Sequence, residues 1–156
     1  MPLAASTPRR QVATTVDPRT LAGVDSRRRV VDYGLQRRSV LAGLRAGRAS
    51  VSDVCDATPY LIQAARYHGE VTETPCPVCC REPVWHVHYI YGDALKASAG
   101  QARRAAELAR IAASYAPLSV YVVEVCRTCG WNHLWQSYVL DGGSAAAEPV
   151  AARGSR

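Results

Sequence analysis

Two cysteine pairs of identical spacing, Cys76-Pro-Val-Cys79 and Cys126-Arg-Thr-Cys129, constrain this chain more than any other feature of it. Two intervening residues let both sulfurs of a pair face inward from one tight turn, whose backbone N–H groups can bond to them. Two such turns facing each other place four sulfurs at the corners of a tetrahedron, the geometry zinc prefers. Pro77 stiffens the first turn, and Gly130 stands where the second needs a positive φ. Residues 80–125 lie between the pairs, against roughly 15–20 in a minimal four-cysteine site. A strand with an inserted loop and helix accounts for the excess without moving the ligands. Cys76, Cys79, Cys126 and Cys129 are therefore expected to hold one structural zinc ion, with no open position for catalysis. A thioredoxin-like dithiol needs a βαβ context and a single C-x-x-C, and neither is present.

The other thiols and the histidines each have a bland and a sharp reading. Cys80 adjoins a ligand, and consecutive residues of one knuckle cannot easily both reach a tetrahedral ion, so it reads as a spectator. Its sharper reading is a redox-sensitive neighbour able to displace a ligand. Cys55 falls in an expected helix far from either knuckle and reads as packing. His86 and His88 share one strand face and suit a second metal site or a general base, yet no partner carboxylate can be named without a register. Glu124 is a neighbour only if the strands pair suitably. His133 follows the second knuckle and suits a bond to a sulfur or a backbone group. For all three histidines, structural polar contacts are the simpler expectation.

Hydrophobic periodicity supplies the frame. Residues 26–46 predict one helix, with Val30, Tyr33, Val40, Leu41 and Leu44 on one side. Ser50 with Asp53 resembles a capping pair opening a short helix through Cys55. Thr58-Pro59 opens another helix, which Gly69 ends. Three helices in this order are compatible with a helix-turn-helix exposing Gln63, Arg66 and Tyr67, and equally with any small helical unit. At "VWHVHYIYG" the period becomes two: Trp85, Val87, Tyr89 and Tyr91 share one face, His86, His88 and Ile90 the other. "RRAAELARIAASYA" predicts a helix burying Leu108, Ile111, Ala112 and Tyr115, with an Arg103–Glu107 pair. "LSVYVVEV" and "NHLWQSYVL" are strands entering and leaving the second knuckle. The expected fold is α+β: a three-stranded antiparallel zinc-ribbon-like sheet with an inserted helix, preceded by a helical segment. The domain boundaries that follow are a tail at 1–25, a helical segment at 26–70, the ribbon at 71–140 and a tail at 141–156.

Charge and compartment add less. The net charge is +6, which suits an acidic partner such as nucleic acid without demanding one. Lys96 is the only lysine, so arginine supplies the rest of the 19 basic residues, and part of that excess reflects a GC-rich coding bias. "MPLAASTPRRQVATTVDPRT" has no apolar core of a secretory signal, and no stretch is long enough to span a membrane. A cytoplasmic protein without membrane contact is expected, and six cysteines in a reducing compartment point to metal or redox chemistry before disulfides.

From about Val31 to Leu140 the chain resembles an actinobacterial family of small conserved proteins of unknown function. The resemblance is carried by "VDYGLQRR", "VCDATPYLIQAARYHGE", "CPVC", "HVHYIYGD", "SAGQAR", "VYVVEVCRTCGWNHL" and "SYVL". It implies a bacterial cytoplasmic zinc-ribbon-like protein, with Cys76, Cys79, Cys126 and Cys129 at the metal positions and no established reaction. Cys80 falls where that family usually places a basic residue.

Three functions compete. The first is a non-enzymatic zinc-binding module docking on nucleic acid or on a transcription or translation machine. Its candidate contacts are Arg37, Arg38, Arg66, Arg81, Arg127, Trp131 and His133, with Arg27, Arg28, Arg29, Arg103 and Arg104 as further cations. Arginine suits phosphate because its planar fork bonds two oxygens at once. The second is a protein-only adaptor using Trp85, Tyr89, Tyr91, Trp131, Trp135 and Tyr138, although such rings are also ordinary core. The third is an enzyme or a thiol-based zinc redox switch. No Gly-rich phosphate loop, nucleophile elbow or histidine–acid metal motif supports catalysis, and no small-molecule substrate is expected.

Overall fold

A computed structural model describes residues 27–142. The expected tail at 1–25, and the expected C-terminal tail beyond Gly142, lie outside them. The chain runs β1 (Arg27–Asp32), α1 (Gly34–Arg45), α2 (Val51–Val54), α3 (Pro59–His68), β2 (Glu70–Pro75), β3 (Pro83–Tyr91), a 3-10 segment (Asp93–Ser98), β4 (Gln101–Arg103), α4 (Ala105–Tyr115), β5 (Leu118–Val125) and β6 (Asn132–Leu140).

The six strands form one antiparallel sheet in the order β1-β6-β5-β3-β2, with β4 also on β3. This corrects the three-stranded ribbon expected from the sequence. The three expected strands are the centre of the sheet, and β1, β2 and β4 widen it. A ribbon leans on its metal because its sheet is too thin to bury a core. Here helices cover both faces, so sheet–helix packing buries Ile90, Leu118, Val120, Val87 and Val125 completely. Each such side chain contributes about 1.5–3 kcal/mol of transfer free energy.

Paired residues lie opposite one another on the same face, so the register assigns every side chain. His86, His88, Ile90, Val120, Val122, Glu124, His133 and Tyr138 share the first face. There Leu108 and Ala112 of α4 pack on Ile90, Val120, Val122 and Tyr138. Leu41 of α1 packs on Val84 and Trp131 beside the knuckles. Trp85, Val87, Tyr89, Tyr91, Ser119, Tyr121, Val123 and Val125 share the second face, as the alternation in "VWHVHYIYG" predicts. Ala64 and Ala65 of α3 cover Val87 and Val125 on that side.

The single helix expected over residues 26–46 is corrected to strand then helix. β1 pairs with β6, with a bulge between Arg28 and Val31 where Arg29 has φ 52°. The helix starts at Gly34, whose N–H donates to the Asp32 side chain at 2.7 Å. The two later helices open as expected, with Thr58 accepting from the Leu61 N–H at 3.2 Å and Ser50 donating its N–H to Asp53. α2 is a single turn, too short to serve as the first helix of a helix-turn-helix. In α4 the expected Arg103–Glu107 pair is absent, because Arg103 belongs to β4 and Glu107 accepts the Arg104 N–H at the helix start. Tyr115, expected to be buried, is exposed. Among the described residues no helix is long and apolar enough to cross a membrane.

Candidate metal centre

Both knuckles are built alike. The first joins β2 to β3, the second joins β5 to β6, and β3 and β5 pair along their lengths. That pairing brings the two turns together at one end of the sheet. In each turn a backbone N–H four residues on returns to the first cysteine's carbonyl: Cys80 to Cys76 at 3.1 Å, Gly130 to Cys126 at 3.0 Å. The donor adopts the left-handed conformation in both, φ 54° at Cys80 and φ 83° at Gly130. Cys80 is thus the counterpart of Gly130. It is exposed, and its role in the turn is conformational.

The Sγ atoms of Cys76, Cys79, Cys126 and Cys129 lie within 4.8 Å of one another. The Cys76–Cys129 and Cys79–Cys126 separations are both 3.6 Å. Cys76 and Cys126 are fully buried. The Trp131 N–H reaches Cys129 Sγ at 3.5 Å. Burial pushes the metal-free Cys126 thiol up to about 12 and raises Cys129 as well. Cys79 is held below its ordinary value, chiefly by the Arg81 backbone N–H. Four sulfurs so placed form a buried cluster able to coordinate a metal ion, and a bound cation would replace the protons that burial otherwise retains.

Glu82 braces the pair of turns. Its carboxylate accepts the Thr128 N–H at 2.8 Å, lies 3.5 Å from Cys126 Sγ, and sits 3.8 Å from the Arg127 guanidinium. Burial opposes its ionisation. Even so, contacts from Thr128, Cys126 and Arg127 hold its pKa below the usual carboxylate range.

Gly130 has a second constraint. An added Cβ would stand 2.9 Å from the Cys55 carbonyl oxygen, and the Gly130 carbonyl accepts the Ala57 N–H at 3.0 Å. The α2–α3 connection is therefore clamped onto the second knuckle. Gly130→Ala is expected to destabilise the fold by about 1–3 kcal/mol, from left-handed strain and that close approach. The shift of the urea midpoint relative to the unsubstituted protein checks it.

Beside the knuckles lies a buried polar group that the sequence only hinted at. Glu124, 1% exposed, faces His86 and His133 across the strands. Its carboxylate accepts from Arg37 Nε and from the Trp131 indole N–H at 2.8 Å. Arg37 also lies 5.9 Å from the Trp131 and Trp135 ring centroids. His133 stacks on Trp131 and donates Nδ1–H to the Leu134 carbonyl at 2.7 Å. Burial lowers the pKa of His86, Glu124 opposing that fall, and lowers His88 to about 4. Among the described residues neither histidine belongs to a metal-ligating cluster.

The structure divides the residues expected as partner contacts. Trp131 is 0% exposed and belongs to the core. Arg37 is occupied by Glu124, and Arg127 lies over the Trp85 ring at 4.1 Å. Arg38, Arg66 and Arg81 are exposed but stand on α1, α3 and the first knuckle. Of the aromatic set, Tyr138 is buried and Tyr91 is 46% exposed.

Comparison with known proteins agrees with the resemblance seen in the sequence. An uncharacterized protein of Mycobacterium tuberculosis strain H37Rv, Rv0049, is 47% identical over 126 residues, spanning 81% of this chain and 92% of the relative. An uncharacterized protein of Mycobacterium bovis, Mb0050, matches to the same extent. No solved structure matches the chain. The model of a family of unknown function, DUF5318, covers residues 24–154, and the chain belongs to that family.

Proposed function

We propose that the cysteine quartet holds one structural zinc ion, and that the protein acts by binding rather than catalysis, offering the part of its second sheet face that α3 leaves uncovered to single-stranded nucleic acid. Soft thiolates select zinc over magnesium or calcium, and four of them close the coordination shell. A reducing cytoplasm would keep those thiols available to the ion.

The observation that carries the binding reading is the pair Tyr91 and Tyr121. They lie on the second face beyond the reach of α3, 46% and 38% exposed, in edge-to-face contact at 5.5 Å. Ser119, Ser137, Val139 and Val31 surround them on neighbouring strands. None of the residues that β1, β3, β5 and β6 place on this face is acidic, and the chain as a whole carries +6. Exposed rings on an antiparallel sheet suit stacking of unpaired bases, and the positive charge suits the phosphates between them. Of the arginines first expected to make these contacts, Arg37 and Arg127 are occupied within the fold, while Arg38, Arg66 and Arg81 stay exposed on α1, α3 and the first knuckle.

Fluorescence anisotropy with short single-stranded and duplex oligonucleotides, over a range of salt, tests the reading. Single strands should bind more tightly than duplex, and affinity should fall as salt rises. Tyr91→Ala and Tyr121→Ala should each weaken binding by about 1–2 kcal/mol, on the order of tenfold. Absence of binding, or binding that both variants leave intact, would remove the proposal. Self-association lost in Tyr91→Ala, without oligonucleotide binding, would instead mark the face as a contact between copies.

A further inference from the structure

Cys55, expected from the sequence to be a packing residue, touches the metal centre. It closes α2, and its Sγ lies 3.7 Å from Cys129 Sγ. It stands outside the quartet that can share one ion. The contact is held by the backbone on both sides, through the approach of the Cys55 carbonyl to Gly130 and the Ala57–Gly130 hydrogen bond. Cys129 therefore has a sulfur neighbour outside the quartet, Cys55, at nearly the same distance as Cys76 within it at 3.6 Å. Cys80, the sixth thiol, is exposed and stands apart from the quartet.

We infer that Cys55 and Cys129 form a redox pair, oxidised by a peroxide to a disulfide that removes one ligand and releases the metal ion. The inference rests on the proposed metal site. Its physical basis is that sulfurs bonded to one ion cannot close on each other while that ion holds them apart. Cys55 is not so held, and it already lies at van der Waals contact with a ligand sulfur. Forming the disulfide closes the two sulfurs from 3.7 Å to about 2.05 Å.

The electrons balance in two steps. The Cys129 sulfur attacks the peroxide O–O bond, taking one oxygen as a sulfenic acid while the other leaves as hydroxide. The Cys55 sulfur then attacks the sulfenic sulfur. The S–S bond forms, the S–O bond breaks, and the departing hydroxide leaves as water with the Cys55 proton. The two sulfurs together lose two electrons, and hydrogen peroxide is reduced to the level of water. A thiol reductant reverses the step and restores the ligand.

The test is to titrate the zinc-loaded full chain with hydrogen peroxide while a chromophoric chelator reads released zinc and peptide mass spectrometry maps the disulfides. Zinc release should rise in step with a Cys55–Cys129 cross-link two hydrogens lighter, and dithiothreitol should reverse both. Cys55→Ser, which leaves the quartet intact, should retain its zinc at peroxide doses that empty the unsubstituted protein. Cys80→Ser should behave as the unsubstituted protein does. Release from Cys55→Ser at the unsubstituted rate, with Cys76–Cys129 or Cys79–Cys126 cross-links, would overturn the inference. So would protection by Cys80→Ser alone. If the purified protein holds no zinc at the start, the metal reading fails, and the disulfide map still decides whether Cys55 and Cys129 pair.

Discussion

Replacing Cys126 with serine is expected to empty the metal site and to cost at least about 4 kcal/mol of stability, the scale associated with losing a structural metal. Cys126 is fully buried at the end of β5, and its Sγ is 3.6 Å from Cys79 Sγ. A serine there offers a harder, shorter donor that cannot take the sulfur's place in the tetrahedron. Structural zinc contributes about 10–16 kcal/mol in isolated finger peptides, where no other core exists. The loss here should be smaller and local. Ile90, Val120, Leu108 and their neighbours form a cluster of their own under α4, away from the cysteines. Leu41, Val54, Val84 and Trp131 share their cluster with Cys76 and Cys126. Native mass spectrometry should show one zinc in the unsubstituted protein and none in Cys126→Ser. Hydrogen exchange should quicken in both knuckles, α1 and α2, and stay slow in the centre of β3 and β5. Full zinc content in Cys126→Ser would show that the quartet is not the holder.

The difference between that local loss and the collapse of a bare ribbon is where the sequence was least legible. The knuckles could be read because their spacing is chemical, and β3, β5 and β6 because alternation along each strand is a local signal. β1 was missed because "RRRVVD" runs into a helical pattern without a break, and its hydrogen-bond partner, β6, lies at the far end of the described chain. β4 spans three residues, Gln101–Arg103, too few to show a period. Cys55 could not be placed because its contact with Cys129 depends on how the α2–α3 connection docks against Gly130, a tertiary event with no local mark. Glu124 did carry a signal, a carboxylate at an inward position of the otherwise apolar "LSVYVVEV". Its neighbour His86 was foreseeable on condition of the register now seen. Its true partner was not, since Arg37 looked like one surface arginine among many.

That partnership sets the second large effect. Arg37→Ala is expected to destabilise the protein by about 3–5 kcal/mol, because it strands a buried carboxylate. Glu124 is 1% exposed, and without Arg37 it keeps only the Trp131 indole as a close donor. Trp131 donates to the carboxylate from one side, and His86 and His133 stand opposite Glu124 on the neighbouring strands. Arg37→Lys should also be destabilising, because an ammonium lacks the planar face that lies against the two indoles. Glu124→Gln keeps an acceptor for Trp131 and removes the charge, so the double variant should recover part of the Arg37→Ala loss, about 1–3 kcal/mol. Urea denaturation of the four proteins of this cycle measures the coupling directly. A loss below about 1 kcal/mol for Arg37→Ala would place the pair with exposed ion pairs and refute its burial. A double variant no more stable than Arg37→Ala would locate the guanidinium's contribution elsewhere. Arg37 would then hold α1 to the sheet by its contact with Trp131 and Trp135, and the charge on Glu124 would be incidental to the docking.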